Sequence, residues 1–316
     1  MSLDEIAGRA ERALVIGIGG GGDVIGCVPT ASYLSLLGVE VMLGGLTWER
    51  RVVDPKPGPR RIEELENARK LCEGAALACP ETRTTYGTTL TESVASRVLG
   101  EEVLLLDING GALGTARALT EASRKLGIDL VVGIDVGGDS LARGDEPGVQ
   151  SPLADGIMLA ALAKLPVESV LGVIGYGSDG ELTLQELNRN VAELIARGAL
   201  LGARGATSRD LKIMERIAEA SATEASRLVV EAGRGKYGEY RIRAGRRSVY
   251  LTPCSLVTFY FSTEHVFRFS RIPRLVASTN SLREADRILR EHGYLTELYF
   301  EEGGGEDAGG ELKGQR

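Results

Sequence analysis

Short apolar runs separated by amphipathic stretches set the rhythm of the chain between residues 10 and 200. Runs at 13–18, 39–43, 103–107, 128–134 and 170–174 are almost free of polar residues, the exceptions being Glu40, Asp107 and Asp129 near their ends. Runs of this length bounded by turn residues read as strands, and strands apolar on both faces belong in a parallel sheet covered by crossover helices. The pattern therefore predicts an α/β fold: an open, mostly parallel, Rossmann-like sheet with helices on both faces.

Two departures from the rhythm follow. Between the second and third strands lies an insertion over residues 45–100. It carries the proline-rich stretch Asp54-Pro55-Lys56-Pro57-Gly58-Pro59 and a charged segment at 62–72 that reads as a helix. A connection of this length is a lid or site wall, or a plain structural excursion. Residues 235–300 form a strand-rich C-terminal part, with strand patterns at 240–243, 248–251 and 256–261 and an amphipathic helix at 281–292. These strands read as a sheet edge, or as the contact of a homodimer. The whole, residues 10–300, is expected to be one α/β domain, followed by a disordered glycine-rich tail at 303–316.

Composition narrows the function classes. The net charge of −7 in 316 residues excludes a general nucleic-acid binder and an anionic membrane surface as partners. No apolar run reaches the roughly 18 residues of a membrane span, and no secretory segment opens the chain, so the expected location is the cytoplasm. The four cysteines contain no CxxC pair, and with only two histidines a structural zinc site is not expected. Free thiols in a reducing compartment are the simpler assignment. No nucleophile elbow, Walker loop or HExxH motif is present.

The chemistry-bearing residues gather where the strands end. Gly17-Ile18-Gly19-Gly20-Gly21-Gly22 fits G-x-G-x-x-G directly after a strand and before a helix, a turn whose amides can approach an anion. A dinucleotide site would add an acid at the end of the second strand, which reads Met42-Leu43-Gly44-Gly45 instead; only Glu49, farther on, is a substitute. Asp23 caps the following helix or faces the ligand, where it would repel a pyrophosphate. The other strand ends are similar: Asp107, Asn109 and Gly110; Asp135 to Asp139; Gly175 to Asp179. In open α/β sheets ligands bind outside the carboxyl ends of the strands, so these ends converge on one polar pocket.

The richest stretch follows the fourth strand. Asp135, Asp139, Asp145 and Glu146 precede Ser151-Pro152, a helix start, and Asp155 in its first turn. Such a density of hard oxygen ligands suits Mg²⁺, held by Asp135, Asp139 and Asp145. Asp23, Asp107 and Asp139 are the candidates for general acid–base work. The backbone of Gly19 to Gly22, with Trp48, Arg50, Asn109, Gly110, Arg143, Ser151, Asp155 and Asp179, is the candidate ligand-binding set; Arg50, Arg51 and Arg143 would hold an anion. Cys27 near the turn is either an activated thiol or a small core residue.

With these residues in view, the chain resembles a largely archaeal family known only as domain of unknown function 1152. The stretches that carry the resemblance are Gly-Gly-Gly-Gly-Asp-Val at 19–24, Leu-Gly-Gly-Leu-Thr-Trp-Glu-Arg at 43–50, Val-Asp-Pro at 53–55 and Pro-Gly-Pro at 57–59. Asp-Val-Gly-Gly-Asp at 135–139, Gly-Asp-Glu-Pro at 144–147 and Ser-Pro-Leu-Ala-Asp at 151–155 complete it. The resemblance implies a Rossmann-like fold and an unassigned activity. The residues themselves point to an enzyme that takes a phosphorylated or carboxylated small molecule, a nucleotide or sugar derivative for example, in Mg²⁺-assisted hydrolysis or phosphoryl transfer. An NAD(P)-dependent oxidoreductase and a non-catalytic ligand sensor are the alternatives.

Overall fold

The computed structural model describes residues 1–221, 223–243 and 245–303; all but the first residue of the expected tail lies outside these. Its central sheet has nine strands: β1 (Arg12–Gly17), β2 (Glu40–Leu46), β3 (Arg69–Cys72), β4 (Ala75–Ala78), β5 (Val103–Leu106), β6 (Leu130–Val136), β7 (Glu168–Ile174), β8 (Leu200–Gly205) and β9 (Val257–Ser262). They lie in the order β8-β9-β7-β6-β1-β2-β5-β4-β3. The five inner strands, β5-β2-β1-β6-β7, are mutually parallel. Antiparallel pairs extend them on both sides, β9 and β8 beyond β7, and β4 and β3 beyond β5. The sheet is open and mixed, with a parallel centre.

Alternation along β1 shows why both faces are covered. Leu14 and Ile16 point into a core shared with Leu153 and Ile157 of helix Pro152–Leu162. Ala13 and Val15 point into the opposite core with Val24, Ile25 and Val28 of helix Asp23–Leu36. All four β1 side chains are fully buried, as the uniformly apolar pattern requires.

The insertion and the C-terminal part depart from expectation. Residues 62–72 are not a helix: a single 3₁₀ turn, Ile62–Glu64, leads into a two-residue ribbon with Arg83–Thr84 and then into edge strand β3. An edge strand solvated along one side carries charges that mimic a helix surface, and Arg69 and Lys70 do so here. In the C-terminal part, Gly238–Ile242 and Arg247–Leu251 pair as a separate antiparallel ribbon. The third segment, β9, lies inside the central sheet, between β7 and β8, with Tyr260 and Phe261 fully buried. Among the described residues no helix is long and apolar enough to cross a membrane.

Candidate functional site

The chain enters the sheet at β1, continues to β2, crosses to the far edge at β3 and comes back through β4 to β5 beside β2, then passes to the other side of β1 to lay down β6 and β7. The connections leaving β1 and β6 therefore diverge to opposite faces, opening a crevice at their carboxyl ends. Ile18 N donates to Ile134 O at 2.9 Å, carrying the ladder up to the lip of this crevice. Gly137 N does the same to Ile174 O at 2.9 Å, knitting the end of β6 to that of β7.

A cleft of about 510 Å³ opens there, lined by Gly19 to Asp23, Trp48 to Val52, the ends of β6 and β7, and the C-terminal helix Glu297–Glu301. Ten carboxylates line it against four arginines. Acidic side chains thus outnumber basic ones in the lining of this cleft. On the floor the carboxylates fall into two triads. Oxygens of Asp23, Asp135 and Asp155 lie within 4.8 Å of one another, and so do oxygens of Asp135, Asp139 and Asp179.

The glycines of the strand ends make room for these carboxylates. Asp23 is the first residue of its helix, and its Oδ2 accepts a hydrogen bond from Gly19 N at 2.8 Å. A Cβ at position 19 would stand 2.8 Å from Asp23 Oδ2 and 3.3 Å from Asp155 Oδ2. At Gly137, whose φ is +141°, a Cβ would fall 2.0 Å from Asp179 Oδ2. Gly21 N is also engaged, donating to Trp48 O at 2.8 Å. Two amides of the glycine turn are therefore spent on the protein itself. The turn is a scaffold for acidic side chains more than a cradle for phosphate.

Burial and mutual repulsion push these acids upward. Asp23 is raised well above the usual carboxylate range by burial and by the Asp135 charge, against the opposing hydrogen bond from Gly19 N. Asp155 is raised by burial and by Asp135 and Asp23, and Asp139 by burial and by Asp155 and Glu181. Asp179 reaches about 8, through burial and the nearby Glu181. Asp135 rises only to about 6, because Ser140 and Gly138 hold its charged form. Ser140 Oγ donates to Asp135 Oδ2 at 2.5 Å and Ser140 N at 3.2 Å, while Gly138 N reaches Oδ1 at 3.4 Å. Asp155 Oδ1 is buried and has no hydrogen-bond partner among the described residues. A buried carboxylate oxygen left bare is costly, and cation coordination is a direct way to satisfy it.

Several candidate residues from the sequence meet in this cleft: Gly19 to Asp23, Trp48, Arg50, Asp135, Asp139, Ser151, Asp155 and Asp179. Ser151 begins its helix as expected, but its side chain makes no capping bond. Glu297 replaces it, accepting from Leu153 N and Ala154 N at 2.9 Å each. That frees the Ser151 hydroxyl to donate to Glu181 Oε1, with Asp139 Oδ2 at 3.3 Å.

Other candidates lie elsewhere. Asp145 is not a member of either triad: its side chain is 75% exposed, because the loop turns outward after Ala142. Arg143 pairs with Glu193 at 2.7 Å and lies over the Phe269 ring, outside the cleft lining. Asp107, Asn109 and Gly110 cluster at the end of β5, two strands from β1. There Asp107 Oδ1 accepts both Asn109 N and Asn109 Nδ2 at 2.7 Å, closing the turn that starts helix Gly111–Leu126. None of the three lines the cleft. Cys27 is fully buried beneath Asp23, and burial raises its thiol rather than activating it.

The sequence did not single out Glu181, Glu224, Arg243, Arg247, Glu297 or Glu301 for this site. Glu181 Oε2 accepts Gln150 N at 2.7 Å and Ser151 N at 3.0 Å, and its Oε1 accepts Arg247 Nη1 at 2.9 Å. Glu301 accepts Trp48 Nε1 at 3.1 Å and Gly58 N at 2.7 Å, so the C-terminal helix clasps the insertion. Glu224 Oε2 lies 3.5 Å from Arg50 and 3.7 Å from Arg243.

A family model described as "Protein of unknown function (DUF1152)" matches residues 14–304. The chain belongs to this family. The match runs from β1 to the C-terminal helix and so contains the whole cleft. The family's description assigns no activity, so the function must be argued from the site. None of the curated proteins matches the chain.

Proposed function

We propose that the cleft binds a divalent metal ion on its acidic floor and uses it to hold a phosphorylated or carboxylated small molecule for hydrolysis or phosphoryl transfer. The observation that carries this reading is Asp155 Oδ1, buried without a hydrogen-bond partner among the described residues, in a triad with two other carboxylates. Asp155 is 6% exposed, Asp135 2% and Asp139 8%. Unpaired acids so buried stay protonated or take up a cation. The donor set is all oxygen, which favours Mg²⁺, with Mn²⁺ a suitable probe.

The rim supports an anionic ligand. Arg50 and Arg243 share the single carboxylate Glu224 at 3.5 and 3.7 Å, longer than the 2.7–2.9 Å of a strong charge-assisted bond. A ligand phosphate or carboxylate that reached them would compete well. Metal on the floor and guanidinium groups at the rim suit a molecule that carries its charge toward both. The metal would neutralise charge on the ligand and lower the pKa of a bound water. The protein's own share is to position the metal through Asp23, Asp135, Asp139, Asp155 and Asp179. Glu49, raised to about 7 chiefly by burial, is available at the cleft wall to exchange a proton near neutrality.

A dinucleotide reading draws less support. Glu49, the substitute ribose acid, is 6% exposed and its Oε1 accepts Thr91 N at 2.6 Å. The test is a thermal-shift series on metal-free protein with Mg²⁺, Mn²⁺, nucleotides and sugar phosphates. Binding at a hundred times Kd stabilises by about 2.7 kcal/mol. The cations alone should raise Tm, and phosphates should add to the rise only when a cation is present. Stabilisation by NAD(P) with no dependence on a cation would overturn the proposal.

A further inference from the structure

We infer that the floor of the cleft holds two divalent cations, bridged by Asp135, an arrangement suited to a phosphate ester or anhydride as ligand. The inference rests on the reading that the cleft binds a cation at all, and deepens it. Asp135 is the one residue common to both triads; Asp23 and Asp155 stand with it in one, Asp139 and Asp179 in the other. Two oxygens on one cation at 2.0–2.6 Å can be no farther apart than about 4–5 Å, a limit each triad meets separately. The two groups come from different elements. Asp23 and Asp155 are in the first turns of two helices that flank β1 and β6, whereas Asp139 and Asp179 follow the ends of β6 and β7.

Charge supports the same count. Among the described residues, none of the five aspartates forms an ion pair with a lysine or arginine side chain. Arg247, on that side of the cleft, bonds Glu181 at 2.9 Å and the backbone carbonyl of Asp179 at 3.1 Å. If cation binding ionises all five, one divalent ion would offset two of the five negative charges and two ions four. The bare oxygen Asp155 Oδ1, on a residue 6% exposed, belongs to the first triad. In the second, Asp139 is 8% exposed, with Ser151 Oγ at 3.3 Å as its side-chain partner. The first triad thus presents a bare carboxylate oxygen, and in the second the Asp139 side chain has, among the described residues, a single long hydrogen bond from Ser151, which also donates to Glu181.

A carboxylate-bridged pair of cations roughly 3.5–4 Å apart contacts both the attacking and the leaving oxygen of an in-line displacement. That geometry suits displacement at tetrahedral phosphorus, where both the attacking and the leaving oxygen carry charge. The substrate class narrows accordingly, with the rim arginines Arg50 and Arg243 left for a further anionic group on the same molecule.

The experiment is Mn²⁺ titration of metal-free protein by calorimetry, with electron paramagnetic resonance of the loaded sample. Two Mn²⁺ per chain with an exchange-coupled spectrum is the expected result. Asp155→Asn and Asp179→Asn should each retain one Mn²⁺, with an uncoupled six-line signal, and Asp135→Asn should weaken both sites at least tenfold. The single-triad variants keep the test decisive if Asp135→Asn fails to fold. One Mn²⁺ per chain in the wild type, lost in Asp155→Asn or Asp179→Asn, would overturn the second cation and leave the single-cation reading standing. No Mn²⁺ uptake would overturn both. Two Mn²⁺ retained by both single-triad variants would overturn the assignment of ligands.

Discussion

Adding one methyl group at Gly19 separates a carboxylate scaffold from a phosphate cradle. In Gly19→Ala the new Cβ stands 2.8 Å from Asp23 Oδ2 and 3.3 and 3.4 Å from the two oxygens of Asp155. Recovering ordinary contact at 3.4 Å moves the Asp23 oxygen by about 0.6 Å. That oxygen cannot swing away freely, because it accepts Gly19 N at 2.8 Å. A functional constellation tolerates displacements of about 0.5 Å, and Mg²⁺ demands near-ideal octahedral geometry. Displacing one ligand and crowding a second is expected to weaken Mn²⁺ or Mg²⁺ at least tenfold, or about 1.4 kcal/mol. The fold is expected to lose about 1–2 kcal/mol, a Tm drop of about 1.5–3 °C for a chain of this size, since the strained atoms are side-chain ends. Calorimetric titration with Mn²⁺ alone at pH 8, beside a thermal melt, reads both quantities. Gly205→Ala is the control, because a Cβ there meets nothing within 4 Å. Unchanged Mn²⁺ affinity in Gly19→Ala, together with lost phosphate affinity, would refute the scaffold and restore the cradle.

Other outcomes follow from the same geometry. Glu297 is raised to about 8 and Glu49 to about 7, both chiefly by burial and both above an unfolded value near 4.3. The folded state therefore holds more protons than the unfolded one between about pH 4 and 8, and the stability these groups contribute is lost as pH rises through that window. Metal-free protein should melt at a lower temperature at pH 9 than at pH 5.5, with a shallower fall in Glu297→Gln; a Tm that climbs over this range contradicts the assignment. Arg50→Met and Arg243→Met should each weaken inorganic pyrophosphate about tenfold in the presence of Mn²⁺ and leave the Mn²⁺ titration alone; equal loss of both would show that the rim arginines act on the floor. Arg60 and Asp54, each 1% exposed, form a fully buried ion pair at 2.7 Å that ties the insertion below Trp48. Arg60→Leu leaves Asp54 buried and unpaired and should cost about 3–5 kcal/mol in urea unfolding; a cost below 1 kcal/mol would mean the pair does not anchor the insertion.

The parallel centre of the sheet was legible because β1, β5, β6 and most of β7 are buried on both faces, which leaves an unbroken apolar run in the sequence. The outer strands were not. β3 and β8 carry exposed residues along much of their length; β3 pairs only with the adjacent β4, and the partner of β8 is distant in sequence. Burial of β9 in mid-sheet had no local signal either, since an edge strand and an inner antiparallel strand share the same apolar pattern. In the site, the glycine–aspartate strand ends marked the right edge of the sheet, and Asp23, Asp135, Asp139, Asp155 and Asp179 meet there. Their purpose was less readable. Gly19 looked like an approach path for a phosphate, and only the packed position of Asp23 and Asp155 shows what occupies that space. Asp145 shared the acidic stretch with Asp139 but faces solvent, because spacing along a loop does not fix direction. Glu181 and Glu297 reach the site through tertiary contacts, Glu297 from a helix 142 residues beyond Asp155 in the chain. No motif announces a residue brought in that way.

The most direct test of the acidic floor as a cation site is anomalous diffraction from crystals grown without metal and soaked in Mn²⁺ at pH 8. The account predicts a manganese peak about 2.0–2.4 Å from carboxylate oxygens of Asp135 and Asp155. A soaked crystal with manganese bound elsewhere, and none among these aspartates, would contradict it.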